Sequence, residues 1–384
     1  MCVTDTAGPT CYPSRMTVTY GSMFSCAGVG DWGFHQAGVS CTVTQELESK
    51  RMYFQRLNGL CVSDDGYITG DITDDEVYSE FIEQARGVDM LMATPPCQGM
   101  SVANRKRGDE QSRNSLVTAA IRAVSDVAPR VFIFENVAAF LRTTCTGLDG
   151  TNRAIGDEID RVLGSRYIIA SATVNLNKHG SPSSRTRSIT IGTRRDTGID
   201  PAALAPPRTD TPTLRDVAGH LPSLTEMGEV SESDVLHGFR PYDPRMRPWI
   251  TGLAEGASAF DNADPLLRPH RVIDGAVVPN KRGAANKYTR LVWDKPGPCI
   301  HTRSDTFSSQ NTIHPTDDRV LSIREVMLLM GLDDGYRWFP VDMSRDEIIA
   351  ALPRRASLIR RCLGEAVPAS VTRAIGVNLA RELG

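Results

Sequence analysis

Six short β-rich apolar runs alternate with helix-like stretches over the first 195 residues, and this alternation limits the fold more than any other feature. Met16 to Tyr20 leads into a Gly-rich turn, Cys26-Ala-Gly-Val-Gly30. Val39 to Val43 is a second run. Asp89 to Thr94 ends in Pro95-Pro96, and Arg130 to Phe134 ends at Glu135-Asn136. Ile168 to Val174 and Ser188 to Gly192 complete the set. Asn114 to Val127 and Ala154 to Leu163 have helical character. Runs this short, separated by helices, predict an α/β domain with a mostly parallel sheet. Ligands of such sheets bind beyond the carboxyl ends of strands, which is where Gly28, Cys97 and Glu135 fall.

The pattern changes after Arg195. Residues 196–310 are rich in Pro, Gly, Arg and Asp, with little periodicity. From His237 to Arg303 eleven Lys and Arg face six Asp and Glu, punctuated by Phe239, Tyr242, Trp249, Phe260, Tyr288 and Trp293. Such a stretch is either an irregular insert with a solvated basic face or a nucleic-acid surface whose cations neutralise phosphates. Leu321 to Leu332 is expected to be an amphipathic helix and Thr372 to Leu383 a C-terminal helix. The 384 residues suit two or three domains, or one large domain with an insertion. The net charge of -3 means that any nucleic-acid contact must come from local basic patches. Nine cysteines, an odd number without a C-x-x-C, argue against a disulfide framework or zinc finger and for a reducing cytosol. There is no apolar run long enough to span a membrane and no apolar leader segment, so a cytoplasmic location is expected.

Three residue types following these runs carry chemistry. Cys97 comes directly after Pro95-Pro96, although a lone cysteine is more often a small buried hydrophobe. Glu135 follows an apolar run and is costly to bury without a partner, although such a Glu commonly caps a turn. Arg185 and Arg187 enter the last run two residues apart, so they share a face, which a sheet-edge ion pair would equally explain. Taken together they suit nucleophilic addition to an electron-poor ring. A thiolate adds to C6 of a pyrimidine, the acid engages N3, a guanidinium holds O2, and C5 becomes able to attack an electrophilic methyl group.

The chain resembles the DNA (cytosine-5) methyltransferases. The matching stretches run in that family's order from about Val18 to Ala374: Phe24 to Gly33, Gln45-Glu46-Leu47, Gly70-Asp71-Ile72, Pro95 to Gln98, Phe134 to Val137, His179 to Arg187, Arg319 to Glu325, and Gly364 to Pro368. Each is weak alone; the ordered set is specific. The resemblance implies a mostly parallel Rossmann-like sheet with a smaller, irregular DNA-recognition domain. Residues 1–195 would be catalytic, completed by 355–384, and 196–354 would hold target recognition and the return segment.

It also implies roles. Cys97 is the nucleophile, Glu135 contacts N3 and the exocyclic amine, and Arg187, with Arg185 in support, contacts the base or orders the site. The implied cofactor is S-adenosylmethionine, lined by Phe24, Ala27, Gly28, Leu47, Ile72, Pro96, Leu116, Glu365 and Ala366. Glu46 accepts the ribose hydroxyls and Asp71 the adenine amine. The implied partner is double-stranded DNA with its target base flipped out, approached by a monomer that can work beside a cognate restriction enzyme. Gln98, Ser101 and Arg105 belong to a lid from Gln98 to Arg113 that closes over DNA. Sequence would be read by about Asp196 to Arg303, with Arg240, Arg245, Arg247, Arg268, Arg271, Lys281, Arg282, Lys287 and Arg290 as candidates.

Four positions depart from the family pattern: Cys26 and Val29 stand where it has Gly, Ser183 where it has Gln, and Glu365 where it has Asn. The resemblance implies that a carboxylate at 365 would lie near the end of the donor that carries its own carboxylate. Either Glu365 turns away or meets the donor's ammonium, or the donor is altered, or donor affinity is poor. An altered donor, a DNA-binding paralogue without chemistry and an RNA methyltransferase are therefore alternatives to a DNA methyltransferase.

Overall fold

A computed structural model describes residues 18–96, 110–283, 286–309 and 312–384. Its first half alternates as expected: β1 (Thr19–Met23), α1 (Val29–Gln36), β2 (Ser40–Glu46), α2 (Ser49–Leu57), β3 (Tyr67–Thr69), α3 (Asp75–Gln84), β4 (Met90–Ala93), α4 (Glu110–Val127) and β5 (Val131–Val137). A small hairpin, β6 (Thr144–Thr146) and β7 (Asn152–Ala154), precedes α5 (Ile155–Leu163), β8 (Tyr167–Asn175) and β9 (Thr186–Arg194). Among the described residues the main sheet has the order β3-β2-β1-β4-β5-β9-β8, parallel from β3 to β5. β9 and β8 close the far edge antiparallel. The mixed α/β class with a mostly parallel sheet is as expected.

Both faces of the central strands β4 and β5 are covered, which is why they are apolar runs rather than alternating ones, whereas the edge strand β8 is largely exposed. On β5, Phe132 and Phe134 pack under α3, α4 and α5 with Phe81, Ile121 and Ile159, while Val131 and Ile133 face Phe34, Val371 and Ile375 on the other side. That second face is closed by the C-terminal helix. After α6 (Pro201–Leu204), α7 (Leu214–Ala218), α8 (Arg247–Ile250), the hairpin β10 (His270–Ile273) and β11 (Ala276–Pro279), and α9 (Ile323–Leu329), the chain ends in α10 (Arg345–Glu365) and α11 (Ala369–Leu383). Helix α11 lies against α1 so closely that a Cβ on Gly33 would stand 2.2 Å from Ala369 O, and one on Gly376 2.7 Å from Ala37 Cβ.

Several boundaries differ from the sequence reading. The first strand runs to Met23, because its pairing with β4 continues to the turn. α9 is shorter than Leu321 to Leu332 because Ser322 and Glu325 form a capping box at its start. β3 and the long α10 carry too little periodicity to have been read.

A third core gathers Cys26, Ala27, Val29, Trp32 and Phe54 with Leu214, Leu291, Leu321 to Leu332, Trp338 and Ile359 to Ala369. Within it Arg319 spans Glu325 in two bonds of 2.8 and 2.9 Å and reaches Asp317 at 2.9 Å, all buried. The Arg319 to Glu325 motif is therefore a structural clasp at the start of α9. A separate small core unites Trp249, Ile250, Ala259, Tyr288, Phe307, Ile313 and Val320.

Candidate active site

The strand order reverses between β1 and β4, and the loops leaving their carboxyl ends diverge there, opening the crevice where doubly wound sheets bind ligands. The loop after β1 is tightly built. Phe24 and Cys26 have φ of 58° and 53°, and Gly28 has 75°. Two non-glycine residues in left-handed conformations persist only when their surroundings hold them, and a buried polar network does so here. Gln55 Nε2 donates to Ser25 Oγ at 2.7 Å and to Cys26 O at 2.8 Å, while Thr44 Oγ1 donates to Gln55 Oε1 at 2.8 Å. Gln45 Oε1 accepts from Phe24 N at 3.3 Å, and its Nε2 donates to Gly70 O at 2.7 Å, joining this turn to the loop of Asp71 and Ile72. The hydrogen bond with the Cys362 thiol, together with burial, pushes the Cys26 thiol upward, so Cys26 stays neutral.

Glu46 ends β2 and is buried. Its Oε2 accepts from Cys26 N at 2.8 Å and its Oε1 from Glu48 N at 3.0 Å, and each oxygen keeps acceptor capacity. Burial raises its pKa against those two donors and Arg51. Leu47 beside it is 61% exposed, a large apolar side chain with no cover. Asp71 is exposed, with Oδ1 held by Thr73 N at 2.9 Å, and Ile72 is buried under it. Ala27, Ala366 and Leu116 are buried or half-buried in the cores around this crevice. α1 starts at Val29 after Gly28 as N-cap, with no side-chain cap for its first N–H groups.

Across the crevice lies a second cluster. Glu135 is 6% exposed near the end of β5, and Arg187 Nε stands 3.0 Å from its Oε1. The ladder explains the meeting: Val137 pairs with Arg187 and Glu135 with Ile189, so the two side chains are diagonal neighbours on one face. Burial raises the Glu135 pKa, opposed by Arg187 and Arg185. Asn136 Nδ2 donates to Pro95 O at 2.8 Å, and Thr94 Oγ1 donates to Phe24 O at 3.1 Å, so the chain leaving β4 is held on both sides up to Pro96. Cys97, Gln98, Ser101 and Arg105 lie outside the described residues.

Arg185 and Arg187 both turn inward while Thr186 turns out, as their spacing predicts. Their partners differ. Arg185 Nη1 donates to Ile300 O at 3.2 Å and Gly364 O at 3.0 Å, and Nη2 to Glu365 O at 3.4 Å. It therefore fastens the end of α10 beside the Glu135 cluster. Glu365 itself pairs with Arg51, Oε2 to Nη2, at 2.9 Å. Sequence reading passed over Arg51, Gln55 and the bond made by Asn136. The Glu48-x-x-Arg51 spacing on a helix was a usable signal for the first; a buried Gln such as Gln55 leaves none.

The basic candidates divide. Arg240, Arg271 and Lys281 are exposed, Arg271 on β10 beside the exposed Val272 and Ile273. Arg245 is held by Asp243 at 2.9 Å, Arg282 by Asp261 at 2.6 Å, and Arg247 by Thr225 O at 2.6 Å. Arg290, expected on the DNA-reading surface, is instead 3% exposed. Its guanidinium donates to His314 O, Asp317 O and Ile250 O at 2.7 to 3.0 Å and to Asp318 at 2.6 Å, so it organises the small core and is turned away from solvent.

Residues 18–381 match the model of the C-5 cytosine-specific DNA methylase family, and the chain belongs to that family. It is 30% identical over 378 residues to the Type II methyltransferase M1.HgaI of Avibacterium volantium, covering 94% of this chain and 97% of that one. It is 27% identical over 361 residues to the Type II methyltransferase M1.HphI of Haemophilus parahaemolyticus, covering 92% and 87%. Among solved structures, a prophage-encoded DNA modification methyltransferase from E. coli superposes with a TM-score of 0.66 at 18% identity, over 96% of this chain and 99% of that one. The Dnmt2 methyltransferase of S. pombe gives 0.53 at 15% identity, over 96% and 100%. These two likenesses are of fold.

Proposed function

We propose that this protein methylates C5 of a cytosine flipped out of a specific duplex DNA sequence, with S-adenosylmethionine as donor and Cys97 as nucleophile. The Glu135–Arg187 pair carries this reading, because it sets a buried acid beside a guanidinium next to the chain that leads into Cys97.

The crevice fits the donor. Glu46 retains acceptor capacity for a diol, Leu47 offers an uncovered apolar face, and the open N-terminus of α1 suits a carboxylate. Phe24, Ala27, Gly28, Asp71, Ile72, Pro96, Leu116 and Ala366 complete its walls. Bound there, S-adenosylmethionine supplies an electrophilic methyl group.

The chain's own residues do the rest. The Cys97 thiolate forms a bond to C6, and the ring's electron pair moves toward N3. Glu135, whose burial favours its neutral form, donates a proton to N3 and accepts from the exocyclic amine. Arg187 orients that carboxyl and holds O2 against the developing negative charge. C5 then takes the methyl group. A base from solvent takes the C5 proton, the freed electron pair re-forms the C5–C6 double bond and expels Cys97 as thiolate, and Glu135 takes back the N3 proton, which restores the aromatic ring. Arg185 acts at one remove by fixing the end of α10.

DNA would lie between the crevice and the small core around Trp249. Arg240, Arg271 and Lys281 would meet it, with β10 and β11 narrow enough for a major groove. The Type II relatives support a role in DNA modification alongside restriction.

Trapping tests the reading. Duplex DNA carrying 5-fluorocytosine at the target, incubated with enzyme and donor, should give a covalent complex whose linked peptide contains Cys97. Cys97→Ser should bind DNA without crosslinking. A wild-type enzyme that methylates DNA but yields no such adduct refutes the mechanism.

A further inference from the structure

Glu365 is an unusual residue for its place. It ends α10, where the helix dipole disfavours a carboxylate, and its backbone cannot shift because Arg185 grips the Gly364 and Glu365 carbonyls. Only its side chain is adjustable, and that side chain is 34% exposed. Its partner Arg51 is 13% exposed and lies among three carboxylates: Glu365 at 2.9 Å, Glu48 at 3.2 Å and Glu46 at 3.9 Å. Glu46 stands farthest from it, and each of its oxygens already accepts one N–H bond, from Cys26 and Glu48. Arg51 Nε is buried without a hydrogen-bond partner. A buried guanidinium N–H left unmade is costly, and an acceptor arriving at this site would satisfy it.

The pair borders the crevice assigned above to the donor, and this inference rests on that assignment. The amino-acid end of S-adenosylmethionine is a zwitterion. We infer that Arg51 and Glu365 form an exchangeable charge pair that reads this zwitterion, Arg51 receiving the donor's carboxylate and Glu365 its ammonium. The exchange replaces one ion pair with two of matched sign, so no charge is left unpaired in the crevice. It also accounts for Glu365 in the position where the family resemblance leads one to expect Asn. The carboxylate that would repel the donor comes with its own guanidinium, one helix away.

Calorimetric titration of the purified protein with S-adenosylmethionine and with decarboxylated S-adenosylmethionine, which keeps the ammonium and sulfonium but lacks the carboxylate, tests this directly. Wild type should bind the complete donor at least tenfold more tightly. Arg51→Met should lose tenfold or more of that affinity while binding of the decarboxylated ligand changes by less than threefold. Equal losses for both ligands, or no loss for either, would show a merely structural pair and overturn the inference while leaving the methyltransferase reading intact. Wild type that binds neither ligand defeats the donor assignment itself. Should Arg51→Met fail to fold, Glu365→Gln provides the mirror test: tenfold weaker binding of the complete donor, with an analogue lacking the α-amino group unaffected. Equal effects on those two ligands again overturn the inference.

Discussion

Arg187 Nε stands 3.0 Å from Glu135 Oε1 across the antiparallel β5–β9 ladder, yet that oxygen is buried without an aligned hydrogen bond. The arrangement holds the carboxyl beside the guanidinium and leaves the hydrogen-bonding capacity of that oxygen unused. Glu135→Gln removes the transferable proton, and methyl transfer to duplex DNA should fall about 10²-fold or more. Burial raises the Glu135 pKa while Arg187 lowers it, so the neutral acid is lost as pH rises through a value above the ordinary carboxylate range. Arg187→Met takes away the opposing charge and should move that alkaline limb of the pH–rate profile upward. An unshifted limb would mean that another group sets it.

Asp31 ends in the core with Oδ1 unpartnered, and burial lifts its pKa from 3.8 to about 6. A carboxylate with a raised native pKa stabilises most below its unfolded value, and that contribution is lost as pH climbs through the native one. Between pH ~4 and pH ~6 the ionised form therefore comes to cost about 3 kcal/mol. Asp31→Asn should be more stable than wild type at pH 7 by up to roughly that amount, with the advantage shrinking toward pH 4 in urea titrations.

The contact between α1 and α11 has no room for a methyl group. Gly33→Ala would put Cβ 2.1 Å from Thr372 Oγ1 and 2.2 Å from Ala369 O, the latter a backbone atom that cannot swing away. A loss of about 3 kcal/mol or more is expected from thermal melting, at the upper end of overpacking costs.

Gln55→Leu strips three hydrogen bonds from Ser25, Cys26 and Thr44 inside the core. Stability should fall by roughly 1–3 kcal/mol for the groups left unpaired. Donor affinity should fall with it, since the left-handed turn of Phe24 and Cys26 loses its support. Calorimetry and denaturant unfolding on the same samples separate the two effects.

Two arginines from the same basic stretch should behave oppositely. Arg290→Met removes the centre of a buried polar cluster and should cost about 3–5 kcal/mol of stability. Arg271→Ala should leave melting unchanged, weaken DNA binding and reduce the slope of log K against log salt by about 0.9. A stable Arg290→Met with impaired DNA binding would reverse the assignment made from burial.

The alternation of short apolar runs with helices was enough to give the parallel sheet, because strands buried on both faces must be apolar throughout, and a chain must cross over to lay the next one parallel. The same alternation put Gly28 and Glu135 at the carboxyl ends of strands; Gly28 does follow β1, whereas β5 runs on to Val137 and keeps Glu135 within the strand, because its pairing with β9 continues to Arg187. What the linear order could not show was which side chains meet after wide separations. Arg51 and Glu365 are adjacent only because α10 returns to the first turn of the sheet. Arg185 and Arg187, two residues apart and facing the same way, serve different partners because one meets that helix and the other meets β5. Arg290 looked like its exposed neighbours until burial distinguished it. Local propensity is written in nearest neighbours along the chain, whereas the burial of a charge and the partner that tolerates it are properties of packing.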